Sequence, residues 1–185
     1  MTTAERIELL KSFGHGPAFL AATLRQMPKK MWFFKSSASR WSIHEIVVHL
    51  ADSEALTYIR CRRFIVQPDA CVPETDAARW AGSLGYFHQS TREALEVIPR
   101  LRKMTCGLLQ AIPESIWKSV MEETGEVRLS LEEWVRKQEH HIPRHIRDIR
   151  ENYTEWAKSH PPRKPAQPRG GIIPSRVATY SAGSC

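Results

Sequence analysis

Three histidines lie within six residues in the stretch HHIPRHIRDI, residues 140–149. His141 and His145 are four residues apart, so on an α-helix they project from one face and are separated by one turn. Two imidazoles at this spacing can bind one metal ion. His140 lies about 100° around the helix from His141 and is expected to point elsewhere. The spacing indicates two ligands of a metal site, and core histidines bonded to backbone or carboxylate groups are the alternative.

A third candidate ligand, His49, lies in an earlier stretch that also has a helical pattern. It falls on a line with Ile46 and Leu56, so this face is expected to point into the core. A histidine from a facing helix would complete a site with three protein ligands and an open position, which is the catalytic arrangement. Spacing alone does not bring His49 to the other pair, and a single hydrogen-bonded core histidine is the alternative. His44, about 140° around the helix from His49, is expected at the surface.

Two sequence signals mark the starts of the helices that carry these histidines. In WSIHEI (41–46) and LSLEEW (129–134), a serine is followed three residues later by a glutamate, and large apolar residues flank both. This pattern is typical of a capping box with a hydrophobic staple. It predicts a second helix to about residue 66 and a fourth helix to about residue 156. Pro143 falls inside the fourth helix, where its kink could change how the imidazoles converge or could be a tolerated bend.

Apolar periodicity predicts two further helices, over residues 3–26 and 87–111. A connection of almost twenty residues, 67–85, separates the second helix from the third. The segment 113–128 is expected to be a loop or a short hairpin. Four long helices with one long crossover predict an all-α four-helix bundle, with the crossover between helices 2 and 3.

The positive charge of the chain is concentrated after residue 157. The segment 158–185 holds five of the 27 Lys and Arg residues and none of the 20 Asp and Glu residues, so the net charge of +7 falls to +2 for residues 1–157. This segment is also rich in proline. We therefore predict a helical bundle domain over 1–157 and a basic tail over 158–185 that is extended or disordered. A basic docking arm is the alternative for the tail, and no nucleic-acid partner is expected.

The sequence shows none of several signals that would point to another class of protein. The four cysteines have no CxxC spacing, the N-terminal MTTAERIELL lacks a signal-peptide pattern, and no stretch reaches the roughly 18 apolar residues of a membrane span. We therefore expect a reduced, cytoplasmic protein with no membrane partner. No G-x-S-x-G motif, P-loop or dinucleotide fingerprint indicates a different kind of enzyme.

The order of two motifs resembles that of a known family. RWSIHEIVVHLADSE (40–54), followed about ninety residues later by HHIPRHIRDI, is similar to the DinB/YfiT-like family of metalloenzymes. The resemblance covers most of residues 1–157 and implies a DinB-like bundle. It also implies that His49, His141 and His145 bind one divalent metal ion, for which zinc and nickel are the leading candidates. Because relatives of this kind commonly pair, a homodimer is expected.

A site with three histidine ligands supports two kinds of chemistry. A divalent ion held by neutral imidazoles can polarise a carbonyl or lower the pKa of a bound water or thiol. The resemblance implies a metal-dependent enzyme with a small-molecule substrate, because relatives include thiol S-transferases and isomerases as well as hydrolases. A low-molecular-weight thiol is a candidate cofactor. The alternative is a non-catalytic, metal-stabilised bundle that acts as a stress-response or binding protein.

Polar residues near the histidines are candidates for supporting roles. Asp52, three residues after His49, could orient an imidazole or hold a metal-bound water, and a solvated or capping carboxylate is the alternative. Asp148 and Glu139 are expected to form surface ion pairs. A basic set around the same helices is interpreted as mostly solvated, although it would suit an anionic thiol: Arg60, Arg62, Arg63 and Arg144.

Overall fold

The computed structural model describes residues 1–67, 71–72, 75–123 and 127–161. Within these residues the chain forms helices and three short strands. The α-helices are α1 (Thr3–Gln26), α2 (Ile43–Val66), α3 (Ala77–Ser83), α4 (Thr91–Ala111), α5 (Leu131–Glu139) and α6 (His141–Ser159). The strands are β1 (Cys71–Val72), β2 (Val120–Glu123) and β3 (Val127–Ser130).

Capping boxes fix the start of α2, which carries His49, and of α5, which precedes the helix that carries His141 and His145. Ser42 caps α2: its Oγ accepts a hydrogen bond from the backbone N–H of Glu45, and the Glu45 carboxylate accepts one from the backbone N–H of Ser42. Ser130 and Glu133 do the same at α5. Both boxes were predicted from the sequence, and a third begins α1 at Thr2. Each such cap contributes about 1 kcal/mol and, more importantly here, sets the residue at which the helix begins.

The predicted fourth helix is wrong in one respect, because it is two helices. Helix α5 ends at Glu139 and α6 begins at His141, with His140 between them. Pro143 has no N–H to donate to the carbonyl of Glu139, so the α5 hydrogen-bond ladder cannot continue past it. In the first turn of α6 the missing N–H costs no intrahelical bond. Pro143 therefore lies near the start of a new helix and not in the middle of a kinked one.

The four-helix bundle with a long second connection is confirmed, and a small sheet is added to it. Helices α1, α2 and α4 pack together with the α5–α6 pair. The crossover holds β1 and α3, and the segment predicted as a loop or short hairpin contains the antiparallel pair β2–β3. Strand β1 pairs in parallel with β2, which gives the order β1-β2-β3. The all-α prediction thus describes the bundle and omits this sheet.

The apolar face of α6 fixes how this helix is rotated. Ile142, Ile146 and Ile149 are spaced as one helical stripe and are almost fully buried in a core cluster shared with α1, α2 and α4. A second cluster contains Phe13, Phe64 and other residues of α1, α2, α4 and α5. Burial of the isoleucine stripe holds α6 against the bundle, and this sets the direction of the histidines on the neighbouring positions.

The helical part of the chain extends slightly beyond the predicted domain boundary at residue 157. Helix α6 ends at Ser159. The predicted tail 158–185 lies, from residue 162 onward, outside the described residues. None of the helices in the described ranges combines the length and the apolar character that a bilayer span requires.

Candidate metal centre

Three imidazoles, carried by two helices, lie close together. His49 comes from α2, and His141 and His145 come from α6. The Nε2 atom of His141 lies 3.3 Å from that of His49 and 3.2 Å from that of His145. The possible ligand atoms of the three residues all lie within 4.8 Å of one another. The fold therefore brings together the three histidines that the sequence singled out.

The environment of the cluster keeps the imidazoles neutral. Burial is the main cause that lowers their pKa values, to about 3 for His49, about 2 for His141 and about 4 for His145. Mutual repulsion contributes at His49 and His141, and the nearby charge of Arg144 contributes at all three. Neutral imidazole is the form that has a lone pair for a metal ion. The three groups are thus held in the ligating form at neutral pH.

Asp148 is the carboxylate that contacts the cluster. The Nδ1 atom of His145 lies 3.1 Å from Asp148 Oδ2. A hydrogen bond donated by Nδ1 leaves the Nε2 lone pair directed at the other two imidazoles. The predicted surface ion pair is also present, because Arg40 lies 3.9 Å from Oδ1 of Asp148, so the contact with His145 adds to that prediction. Glu139, also expected in a surface ion pair, is only half-buried and accepts a hydrogen bond from Ser12.

Asp52 points to a different partner. Its Oδ2 accepts a hydrogen bond of 2.7 Å from the Tyr86 hydroxyl, which ties α2 to the turn before α4. Burial and this bond raise the pKa of Tyr86. Within the described residues Asp52 makes no hydrogen bond to the three imidazoles. Its role at the site stays a prediction.

Trp41 covers one side of the imidazoles, which sequence reasoning did not foresee. Its ring centroid is 4.7 Å from that of His49 and 6.2 Å from that of His145, and it is nearly parallel to the His145 ring. The sequence assigned Trp41 only to the staple at the start of α2. The signal that could have found it is its place directly before the cap of the helix that carries His49.

The other two histidines near these helices do not join the cluster. His44, expected at the surface, is buried, where its Nδ1 contacts the Thr91 hydroxyl and its Nε2 donates to the Tyr86 carbonyl at 2.9 Å. Both ring nitrogens are therefore satisfied by the protein. The side chain of His140 is 81% exposed, as predicted. Neither residue offers a nitrogen to the cluster.

A cavity of about 340 Å³ opens beside the three imidazoles. Its polar lining includes Ser53, Thr57 and Gln138, and its positively charged lining consists of Arg60, Lys137 and Arg144. No Asp or Glu of the described residues lines it. A larger cavity of about 710 Å³ between α1 and α4 is mostly apolar and does not reach the histidines. The cavity beside the histidines therefore combines open space with groups able to bind a ligand.

Comparisons with known proteins agree with this architecture. Residues 15–149 match the family model of the DinB superfamily. YfiT from Bacillus subtilis, described as a probable metal-dependent hydrolase with an unusual four-helix bundle topology, superposes with a TM-score of 0.78 at 18% sequence identity, covering 85% of this chain and 90% of that one. A comparison with curated proteins finds no match. The structural likeness shows the shared fold, and the family match spans most of the bundle: the chain belongs to the DinB superfamily.

Proposed function

We propose that His49, His141 and His145 bind one divalent metal ion, zinc or nickel, and that the protein is a metal-dependent enzyme with a small-molecule substrate. The observation that carries this proposal is the convergence of three neutral imidazole nitrogens beside an open cavity. Three nitrogen donors fit the preferences of borderline divalent ions such as zinc and nickel. The description of YfiT as a probable metal-dependent hydrolase supports the same conclusion.

The number of protein ligands favours catalysis over a purely structural role. A structural zinc site commonly has four protein ligands, whereas a catalytic site has three and an open position. Within the described residues the cluster consists of three histidines, and it faces a cavity. The non-catalytic alternative, a metal-stabilised stress-response or binding protein, would instead call for a closed set of ligands.

The lining of the cavity favours transfer of a thiol over hydrolysis. When bound, a divalent ion supplies Lewis acidity, which lowers the pKa of a coordinated thiol or water and polarises a carbonyl. Hydrolytic sites commonly use a carboxylate as general base, and no carboxylate of the described residues lines this cavity. A thiol, whose ordinary pKa is about 8.5, needs no such base to lose its proton. We therefore place thiol S-transfer first and hydrolysis second.

Each residue of the cluster has a separate task in this proposal. The three histidines bind the ion, and Asp148 holds the Nδ1 proton of His145 so that Nε2 faces the site. Trp41 keeps the rings of His49 and His145 in place from one side. The hydroxyl of Ser53, 3.3 Å from His49 Nε2, lies where it can hydrogen-bond to a ligand in the cavity.

The metal content of the purified protein tests the site. One equivalent of metal is expected in the parent protein, and His49→Ala and His145→Ala are expected to lose it. His140→Ala is the matched control, because this histidine is adjacent to His141 in sequence but is exposed and outside the cluster. Full metal content in His145→Ala, or none in the parent protein after growth with added zinc, would contradict the proposal.

A second measurement separates the two reaction types. The metal-loaded protein is incubated with a panel of low-molecular-weight thiols and an electrophilic acceptor, and in parallel with esters and amides. Thioether formation that is lost in His49→Ala and kept in His140→Ala supports transfer. Ester or amide cleavage with the same dependence on His49 would instead select hydrolysis.

A further inference from the structure

The cavity beside the histidines has an unusual charge balance. Three cationic side chains line it, Arg60, Lys137 and Arg144, and no carboxylate of the described residues does. An imidazole side chain carries no negative charge at neutral pH, so the three histidines do not offset these cations. A divalent cation would add two more positive charges. A ligand of negative charge in the cavity would be attracted by these groups.

Arg144 is the cation closest in sequence to the cluster. It lies in the first turns of α6, three residues after His141 and one before His145. It lines the same cavity as His49, His141 and His145. Helix α6 cannot rotate Arg144 away, because the neighbouring Ile142 and Ile146 are buried in the core.

The guanidinium of Arg144 lines the cavity, so its N–H donors matter for what can bind there. Over residues 1–67, 71–72, 75–123 and 127–161, it forms no hydrogen bond or ion pair. By contrast, Arg40, three residues before the start of α2 at Ile43, donates to Glu151 at 2.6 Å. A guanidinium has five N–H donors in a planar fork that matches a carboxylate or a phosphate. The donors of Arg144 are therefore available to a ligand in the cavity.

We propose that Arg144 binds an oxyanion group, a carboxylate or a phosphate, of the substrate, so that the protein selects small anionic molecules. This inference rests on the proposed function and adds its substrate class. The cavity volume of about 340 Å³ is at the lower end of the range for small-molecule sites, which is about 300–1,000 Å³. A substrate of this class would place its anionic group on Arg144 and its reacting group at the three histidines.

Calorimetric titration with simple probes tests this inference. The probes are succinate and methyl phosphate, with succinamide as the uncharged match for succinate. The protein is loaded with one equivalent of zinc, and the same titrations are repeated on metal-free protein. The variants are Arg144→Gln, which removes the charge, and Arg144→Lys, which keeps the charge without the fork. Arg147→Gln is the matched control, because Arg147 is exposed on the same helix and does not line the cavity.

The expected result is a preference for the anions that depends on Arg144. At least one anionic probe should bind about tenfold more tightly than succinamide, and Arg144→Gln should lose about tenfold in affinity for it, as expected for a charge-assisted hydrogen bond. The affinity of Arg144→Lys for this probe should lie between those of Arg144→Gln and the parent protein, and the affinity of Arg147→Gln should match that of the parent protein. Whether succinate or methyl phosphate binds better identifies the oxyanion.

Two results would overturn the inference. One is equal binding of succinamide and both anions, and the other is an anion preference that survives in Arg144→Gln. The metal content of each sample separates this test from that of the proposed function. If the chain holds no zinc but the metal-free protein still shows an anion preference that needs Arg144, the inference stands and the metal site fails. If zinc binds stoichiometrically without such a preference, the metal site stands and the inference about Arg144 fails.

Discussion

Two buried polar clusters involve helix α2, and they are built in opposite ways. Five residues after His49, Glu54 pairs with Arg102 of α4, and both side chains are almost completely buried. Arg102 Nε donates to Glu54 Oε2 at 2.8 Å, a second nitrogen reaches the other oxygen, and a third donates to the carbonyl of Phe13. Opposite charges and hydrogen bonds are thus matched, and the pair joins α2 to α4 and α1.

The histidine cluster has no such match. Three groups of the same kind face one another, and among the residues that the structure describes only Asp148, at the Nδ1 side of His145, gives them a carboxylate partner. Burial of these groups lowers their pKa values, and a cavity lies beside them. A buried polar cluster that is complete in itself contributes to the architecture, whereas one that lacks a central partner indicates a binding site. The contrast between the two clusters predicts different responses to mutation.

The largest effect is expected at the ion pair. Glu54→Ala leaves the charge of Arg102 buried without a partner, so it should lower the free energy of unfolding by about 3–5 kcal/mol. Urea denaturation measures this change. Glu96→Ala, which breaks the exposed pair with Arg92, is the control and should change stability little. The double variant Glu54→Leu/Arg102→Met should recover much of the loss. A small loss in Glu54→Ala would show that the two clusters do not differ as argued.

Metal binding at the histidine cluster should stabilise the folded protein. A ligand present at about 1,000 times its Kd raises the free energy of unfolding by about 4 kcal/mol if only the folded state binds it. We expect zinc to raise the melting temperature of the parent protein and of His140→Ala, and to leave that of His145→Ala unchanged. Because the core clusters contain none of the three histidines, the metal-free protein should still fold. Unfolding upon chelation would contradict this prediction.

The free energy of unfolding of the metal-free protein should fall at acidic pH because of the histidine cluster. The pKa values of the three buried histidines lie below the ordinary value of about 6.5, so below that pH the unfolded chain binds more protons than the folded one. Their contribution to stability is complete above pH 6.5 and is lost as the pH falls towards 4. At pH 5 the loss is about 2 kcal/mol for each histidine that becomes protonated on unfolding.

Urea denaturation of the metal-free protein from pH 7.5 to pH 5 measures this loss. His145→Gln should show a shallower decline than the parent protein, because one titrating group has been removed. The matched comparison is His140→Gln, whose exposed side chain should leave the profile unchanged. An identical slope in His145→Gln and the parent protein would count against the neutral, buried state of His145.

The smallest effect is expected at Asp148, the carboxylate that contacts His145. Asp148→Asn removes the charge that holds the Nδ1 proton of His145, and it should weaken metal affinity about 10- to 100-fold while leaving metal binding measurable. Competition with a chromogenic chelator gives the affinity. Glu151→Gln is the control, because this carboxylate lies one turn away and pairs with Arg40. Equal affinities for Asp148→Asn and Glu151→Gln would remove Asp148 from the site.

The sequence predicts helix starts and ends correctly where residues close in sequence determine them. The two serine–glutamate boxes, the extent of α1 and the end of α2 follow from capping, periodicity and proline positions. Pro143 predicts an interruption of the helix near His140, because its backbone nitrogen cannot donate a hydrogen bond. This property does not distinguish a kinked helix from two separate helices. Packing of the isoleucine stripe of α6 selects the restarted helix.

The fates of individual polar side chains could not be predicted from spacing. His44 was expected at the surface, but the turn before α4 and Thr91 give both of its ring nitrogens partners inside the protein. Asp52 and Asp148 each follow a cluster histidine by three residues, yet one contacts Tyr86 and the other contacts His145. Spacing gives the direction of a side chain from its own helix, and the partner comes from elements distant in sequence.

By itself the sequence determined the extent of α1, the cap and end of α2, the cap of α5, and which face of α6 carries His141 and His145, because these depend on interactions within a few residues. Only the tertiary structure decided that His49 reaches that pair across 92 residues of chain and that Asp148 contacts His145. It also decided that Arg144 lines a cavity to which no Asp or Glu of the described residues contributes. The physical reason is that the rotation and approach of α2 and α6 are set by burial of apolar stripes on several helices at once. That condition belongs to the packed bundle and to no single segment.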